Sequence, residues 1–237
     1  MEAEYNRIGD LIRHQASNHN RKRYLVAISG VPGSGKTTTA AAVAQRLNSG
    51  VPPTRTSLLS MDGWHLSRAT LDQLPNREEA YIRRGAPWTF DVARFVAFVR
   101  RLRQWADSEP SDSTDRPGSD VIYAPSFDHE TKDPVENGIT IRDDASIIII
   151  EGNYLLLDEP DWREVARLVD YRIFVDTDLQ EARERVAKRH VKAGIEKTLE
   201  DGFRRVDSND YLNALMIQER LICPDLTIRS IPEVSGF

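Results

Sequence analysis

The sequence predicts a three-layer α/β domain, and three observations carry that prediction. The apolar runs "LVAIS" and "IIII" are continuous rather than alternating, as in strands buried on both faces of a parallel sheet. Helical patterns separate the strand-like runs. The chain has 237 residues, room for one sizeable domain with or without a lid, and the whole of 1–237 is read as one domain.

The elements follow in order. "MEAEYNRIGDLIRHQASNHNRKR" has no apolar core of a signal peptide, and its early acids Glu2, Glu4 and Asp10 argue against a transit peptide. It reads as a helix over 1–22 leading into the domain. Strands are expected at 24–29, 56–60, 121–125, 146–150 and 171–176. Residues 36–48 are alanine-rich and helical in pattern. "DVARFVAFVRRLRQW" (91–105) sets Val92, Phe95, Val96, Val99 and Leu102 on one stripe, with Asp91 as N-cap. "DLQEARERVAKRHVKA" (178–193) opens on an acid and gathers bases toward its end, which suits the helix dipole. A last helix is expected over 196–222, broken near Asp207. "DSEPSDSTDRPGSD" (107–120) has no large apolar residue and reads as an exposed mobile loop or a substrate lid. The tail after Ile231 is expected to fray.

Composition narrows the function. Forty per cent apolar and 29% charged residues are an ordinary globular balance. A net charge of −5 argues against a general nucleic-acid binder but leaves room for a local basic pocket. No apolar run approaches the roughly 20 residues that span a bilayer, so a cytoplasmic protein without membrane partners is expected. The single cysteine, Cys223, rules out an intramolecular disulfide and a cysteine-cluster metal site.

The strongest motif is "GVPGSGKT" (30–37), which fits G-x-x-x-x-G-K-[ST] at every fixed position. A strand precedes it and a helix follows, as a phosphate-binding P-loop requires. Gly30, Gly33 and Gly35 let the backbone wrap an anion. Backbone N–H groups of the Gly30, Val31, Pro32, Gly33, Ser34, Gly35, Lys36, Thr37, Thr38 stretch, proline apart, face the phosphates. Lys36 supplies a point charge near the β and γ phosphates, and Thr37 a hydroxyl for Mg²⁺.

Two carboxylates follow strand-like runs. Glu151 closes "IIIIE", and ligands in open α/β sheets bind at the carboxyl ends of strands. It either holds the Mg²⁺ shell or merely ends the strand. Asp62, in "SMDGWH", follows the next strand after the P-loop helix. It can accept the proton of an attacking hydroxyl, help position Mg²⁺, or form an Asp-Gly turn; these roles are compatible.

With these pieces quoted, the chain resembles the phosphoribulokinase/uridine kinase family of P-loop kinases. "MDGWH" is similar to the "DGF(H/Y)" stretch of the pantothenate kinase branch, with Trp64 where Phe or Tyr is usual. "GAPWTFD" is similar to that branch's "GFPESYD", and "PSFDHETKD" resembles the "P-x-Y-D-F-x-T-H" of uridine kinases. The likeness covers roughly residues 23–230. It implies a P-loop NTPase fold with a mainly parallel five-stranded sheet and a helical lid over about 183–210. It also implies ATP and Mg²⁺ as cofactors, phosphorylation of a small-molecule hydroxyl, and Asp62 as the base. The loop 107–120 looks like an insertion.

Other candidates belong to the same frame. Arg185 and Arg189 lie one helical turn apart, and are either lid arginines over the transferring phosphoryl or members of exposed i,i+4 pairs. Arg83 and Arg84 precede "GAPWTFD" and are candidates to hold an anionic group of the acceptor, or a surface pair. His65, Tyr123, Phe127 and Asn153 are candidates for the acceptor pocket, with core packing the other reading of Tyr123 and Phe127. Asn209 and Asn213 fall in the nucleotide or lid region. The expected activity is an ATP-dependent kinase for a nucleoside, pantothenate-like or sugar acceptor. The alternative is a nucleotide switch read out by a protein partner. A homodimer is compatible with either.

Overall fold

Five parallel strands form one sheet in the order β2-β5-β1-β6-β7 in the computed structural model, which describes residues 2–108 and 121–230. They are β1 (Tyr24–Gly30), β2 (Thr56–Ser60), β5 (Ile147–Gly152), β6 (Tyr171–Asp176) and β7 (Leu226–Arg229). A separate antiparallel hairpin joins β3 (Ile122–Asp128) to β4 (Asp133–Ile141). The helices are α1 (Glu2–Ser17), α2 (Lys36–Ser49), α3 (Arg68–Asp72), α4 (Arg77–Ile82), α5 (Val92–Asp107), α6 (Arg163–Leu168), α7 (Leu179–Lys192), α8 (Leu199–Ser208) and α9 (Asp210–Glu219).

The unbroken apolar runs have the cause inferred from them. On β1, Leu25 and Ala27 face a core with α5, while Tyr24, Val26 and Ile28 face one with α1 and α2. On β5, Ile148 and Ile150 join the first core, and Ile147 and Ile149 the second. With both faces covered, a polar side chain on these strands needs a hydrogen-bond partner of its own, as buried Ser29 has in the Asn153 carbonyl.

Helix boundaries follow their caps. Asp91 accepts from the Arg94 N–H at 3.0 Å and starts α5. Asp178 accepts from the Gln180 and Glu181 N–H groups and starts α7. The helix expected over 196–222 is broken at Asn209, whose φ of −143° interrupts α8 and α9 two residues beyond the expected place. The N-terminal helix ends at Ser17, short of 22.

Two strand assignments are corrected. Residues 121–125 belong to the hairpin and not to the main sheet. Its partner β4 was not expected, because "DPVENGITI" carries Pro134, Gly138 and exposed polar positions. The fifth strand of the sheet is β7, four residues long and too short to stand out by pattern. The readings made for 109–120 and for 231–237 lie outside the described residues. Among the described residues, no helix is long and apolar enough to cross a membrane.

Candidate active site

The phosphate cradle is shaped by what a side chain would strike. Gly33 and Gly35 have φ of +84° and +85°, where L side chains are strained. A Cβ on Gly30 would lie 2.5 Å from Ser34 Oγ, and one on Gly33 would lie 2.5 Å from the Ala182 carbonyl of α7. The loop is therefore pressed onto the lid helix. Val31, Pro32 and Ser34 are buried beneath it, while Gly35, Thr37 and Thr38 stay exposed on its outer side.

The two sequence-predicted carboxylates reach the same rim. Strand register aligns Ser60 of β2 with Glu151 of β5, and Glu151 with Ile28 of β1. Asp62 lies two residues past Ser60. Thr37 Oγ1 donates to Glu151 Oε2 at 3.0 Å. Glu151 is 3% exposed and aims its carboxylate at the start of α2. A hydroxyl and a buried carboxylate are hard oxygen donors at the phosphate cradle, so this pair fits Mg²⁺. Lys36 is partly buried beside them. Desolvation lowers its pKa, and the Glu151 and Asp62 carboxylates oppose that shift.

Asp62 sits in a 3-10 turn, Met61–Trp64, with its side chain 40% exposed. Two glycines hold this turn in place. A Cβ on Gly63 would lie 2.2 Å from the Pro125 carbonyl, and one on Gly152 would lie 2.1 Å from Met61 Cγ. The first lets the β3–β4 hairpin close over the turn. The second lets Met61 lock into the segment that carries Glu151.

His65 donates from Nδ1 to the Asp62 carbonyl at 2.9 Å, because a carbonyl can only accept. Its ring stacks on Phe90 at 4.0 Å and on Phe127 at 4.9 Å. Burial lowers its pKa and favours the neutral ring. Arg84 lies over Phe127 at 5.7 Å and donates from Nη2 to the Leu66 carbonyl at 3.2 Å. His65, Arg84 and Phe127 thus form one group beside Asp62. Tyr123 stands apart at 51% exposure, and no contact joins it to that group among the described residues. Strand alternation would put Tyr123 and Phe127 on one face, but a register shift between Ala124 and Ser126 separates them. Asn153 accepts through its carbonyl from Ser29 Oγ at 3.0 Å, and its buried Oδ1 has no partner among the described residues.

Arg83 is turned to the lid rather than to Phe127. It donates to the Ser208 carbonyl at 3.1 Å and to Asn213 Oδ1 at 3.2 Å. Asn209 Nδ2 donates to the Arg84 carbonyl at 2.8 Å, and Asn213 Nδ2 to Asn209 Oδ1 at 3.2 Å. Tyr154 Oη donates to the Gly85 carbonyl at 2.5 Å. Asn209 and Asn213 therefore fasten the α8–α9 junction to the 83–85 segment.

The two lid arginines differ. Arg185 donates to the Gly33 carbonyl at 3.2 Å, to Ser230 Oγ at 2.7 Å and to Glu181 at 2.5 Å. Arg189 has no side-chain hydrogen bond or ion pair among the described residues, and its charge is felt at Lys36. Asp210, which the sequence reading passed over, faces the same space. Burial raises its pKa, against the fields of His190, Arg189 and Arg205. The signal that could have found it is an acid placed at the break between two helices of the lid. Gly33, Gly35, Thr38, Arg185, Arg189 and Ser230 border a cavity of about 630 Å³ beside the P-loop.

Comparison with known proteins agrees with this geometry. The model of the phosphoribulokinase/uridine kinase family matches residues 25–194. A Schizosaccharomyces pombe protein provisionally named uridine kinase C227.14 is 36% identical over 227 residues, covering 96% of this chain and 89% of its own. The crystal structure of a provisionally named fructose transport system kinase from Silicibacter sp. TM1040 superposes with a TM-score of 0.76 at 26% identity, covering 94% of this chain and 98% of that one. YFH7 from Saccharomyces cerevisiae, a P-loop protein, shares the fold with a TM-score of 0.81 at 23% identity, covering 96% of this chain and 99% of its own. A P-loop pressed against a lid helix, a threonine–carboxylate pair at the strand ends and a matched family model together make this chain a member of the phosphoribulokinase/uridine kinase family of P-loop kinases.

Proposed function

We propose that the protein transfers the γ-phosphate of ATP to a hydroxyl of a small molecule, a nucleoside, a pantothenate-like acid or a sugar. The observation that carries this reading is the position of Lys36 in the field of both Glu151 and Asp62, with Thr37 bonded to Glu151. One carboxylate serves the phosphate side, and the other is left for the acceptor.

Thr37 and Glu151 would hold Mg²⁺, with Asp62 near enough to the rim to assist. If bound there, the ion would supply charge neutralisation for the phosphates. Lys36 and the unpaired Arg189 stabilise the charge that gathers on the transferring phosphoryl. Arg185 acts on the cradle by gripping Gly33. Asp62 accepts the proton of the attacking hydroxyl. His65, Phe127 and Arg84 orient the acceptor. The name of the S. pombe relative favours a nucleoside among the three classes. A nucleotide switch would have no use for the group around His65. The single Cys223 suits a reducing compartment, and we place the enzyme in the cytoplasm.

The test is coupled ADP release from Mg·ATP against nucleosides, pantothenate, vitamin alcohols and sugars, with Asp62→Asn alongside. Turnover that depends on one acceptor and is lost in the variant, while ATP still binds, is the expected result. Slow release indifferent to every acceptor and to the variant would favour the switch.

A further inference from the structure

The break between α8 and α9 is clasped from the acceptor side. Asn209, with φ of −143° and ψ of −71°, ends one helix and precedes the next. Its Nδ2 donates to the Arg84 carbonyl at 2.8 Å, and its Oδ1 accepts from Asn213 Nδ2 at 3.2 Å. Asn213 Oδ1 in turn accepts from Arg83 Nη2 at 3.2 Å. Both amides are buried, Asn209 at 8% and Asn213 at 2% exposure.

This chain of bonds has one direction. A guanidinium can only donate and a backbone carbonyl can only accept. Asn213 therefore turns its oxygen to Arg83 and its nitrogen to Asn209, and Asn209 turns its nitrogen to the Arg84 carbonyl. Buried amides carry a desolvation cost that an apolar pair avoids, and what they supply instead is a single orientation of the break.

That orientation matters because Asp210 is the next residue. It opens α9 and shares the border of a small hollow with Pro32 of the P-loop. Its Oδ2 lies 3.8 Å from Nε2 of His190, the neighbour of Arg189 on α7. The Asp210 carboxylate acts on Lys36, and Arg189 acts on the carboxylate. At the other end of the clasp, Arg84 sends its side chain over Phe127 in the group beside Asp62.

We propose that Asn209 is a positioning residue for phosphoryl transfer. It locks the lid break onto the acceptor-side segment and thereby aims Asp210, which holds Lys36 and Arg189 in place. This rests on the kinase reading, and the test separates the two.

Steady-state kinetics are measured on the full chain with the acceptor that supports turnover in the coupled assay. Asn209→Asp keeps the shape and can still accept from Asn213, but cannot donate to Arg84. Asp210→Asn removes the charge that Asn209 aims. Each single variant is expected to lower kcat about 30-fold with the KM for ATP changed less than about twofold, and the double variant to be no slower than the slower single, because both act on one element. Thr198→Ala strips the N-cap of α8 without touching the clasp, and is expected to lower the melting temperature while kcat changes less than about twofold. An unchanged kcat in a folded Asn209→Asp would overturn the proposal. So would losses that multiply in the double variant, or an equal loss of kcat in Thr198→Ala, because the effect would then follow lid stability alone. If Asn209→Asp does not fold, Asn213→Asp, which keeps its bond from Arg83 and loses the donation to Asn209 Oδ1, takes its place in the cycle. Wild-type protein without acceptor-dependent turnover would overturn the kinase reading, and this proposal with it.

Discussion

Thr37 Oγ1 and Glu151 Oε2 meet at 3.0 Å across 114 residues of sequence. The bond joins the first turn of the P-loop helix to the end of strand β5. It is made possible by parallel pairing, which brings the carboxyl ends of β2, β5 and β1 to one rim. Glu151→Gln keeps the shape but weakens the hold on Mg²⁺. The expected outcome is a fall in kcat of about 100-fold with a higher Mg²⁺ requirement and nearly unchanged folding. Titrating Mg²⁺ at saturating ATP checks it.

The lid arginines should separate by readout. Arg189 is uncommitted, so Arg189→Ala is expected to lower kcat about 100-fold and to leave the melting temperature alone. Arg185 bonds Gly33 and Ser230, so Arg185→Ala is expected to destabilise by about 1 kcal/mol and to raise the KM for ATP. Thermal melts and steady-state kinetics on both variants distinguish these patterns. Equal effects in both would contradict the assignment.

Gly63 and Gly152 are sterically enforced. A Cβ on either would lie within 2.2 Å of a neighbour, the Pro125 carbonyl or the Met61 side chain. Gly63→Ala meets backbone, which cannot step aside, and is expected to cost about 1–3 kcal/mol and to displace Asp62. Gly152→Ala meets Cγ and Cβ of Met61, which is 1% exposed and has no room to withdraw, and should cost a similar amount. Chemical denaturation of both variants checks this, and a Gly152→Ala variant as stable as the parent would contradict it.

Asp210 is a stability cost at neutral pH. Its folded pKa is raised above the usual carboxylate value by burial, against His190 and Arg189 of α7, Arg205 of α8 and Lys36 of α2. A raised carboxyl pKa means that the native state holds the proton more tightly than the unfolded chain. The cost is therefore absent below pH 3.8, grows from there up to the raised value, and stays constant above it. Asp210→Asn should melt about 2–4 °C higher at pH 7.5, the shift given by about 1 kcal/mol in a chain of this size. That gain should fade toward pH 4. If the carboxylate serves to set Arg189 and Lys36, the same variant turns over more slowly, a stability–activity trade. A lower melting point at pH 7.5 would refute the sign.

Much of the site was legible because its residues are local. The P-loop spacing names its residues outright, since each position has a backbone or charge requirement that few residue types meet. Glu151 and Asp62 were legible because each follows a strand-like run, and strand ends are where a parallel sheet presents its ligands. The continuous isoleucines predicted burial on both faces, and the two cores supply it. What the sequence could not separate was Arg185 from Arg189, or Tyr123 from Phe127. In the first pair the difference is a single carbonyl, that of Gly33, which lies 152 residues away. In the second it is one irregularity in hairpin register that pattern does not encode.

The sequence by itself determined the P-loop, the two carboxylates, most strands and the helix caps, because hydrophobic period, capping chemistry and glycine geometry act over a few residues. The tertiary structure alone decided the partners. It placed β7 in the sheet, set the β3–β4 hairpin over Asp62 through Gly63, and turned Arg83 to the lid and Arg84 to Phe127. It also brought Asp210 into the field of Lys36 and α1 to the border of the cavity beside the P-loop. Those contacts join residues far apart in the chain, and only the packing of complete elements selects among the arrangements that local preference leaves open.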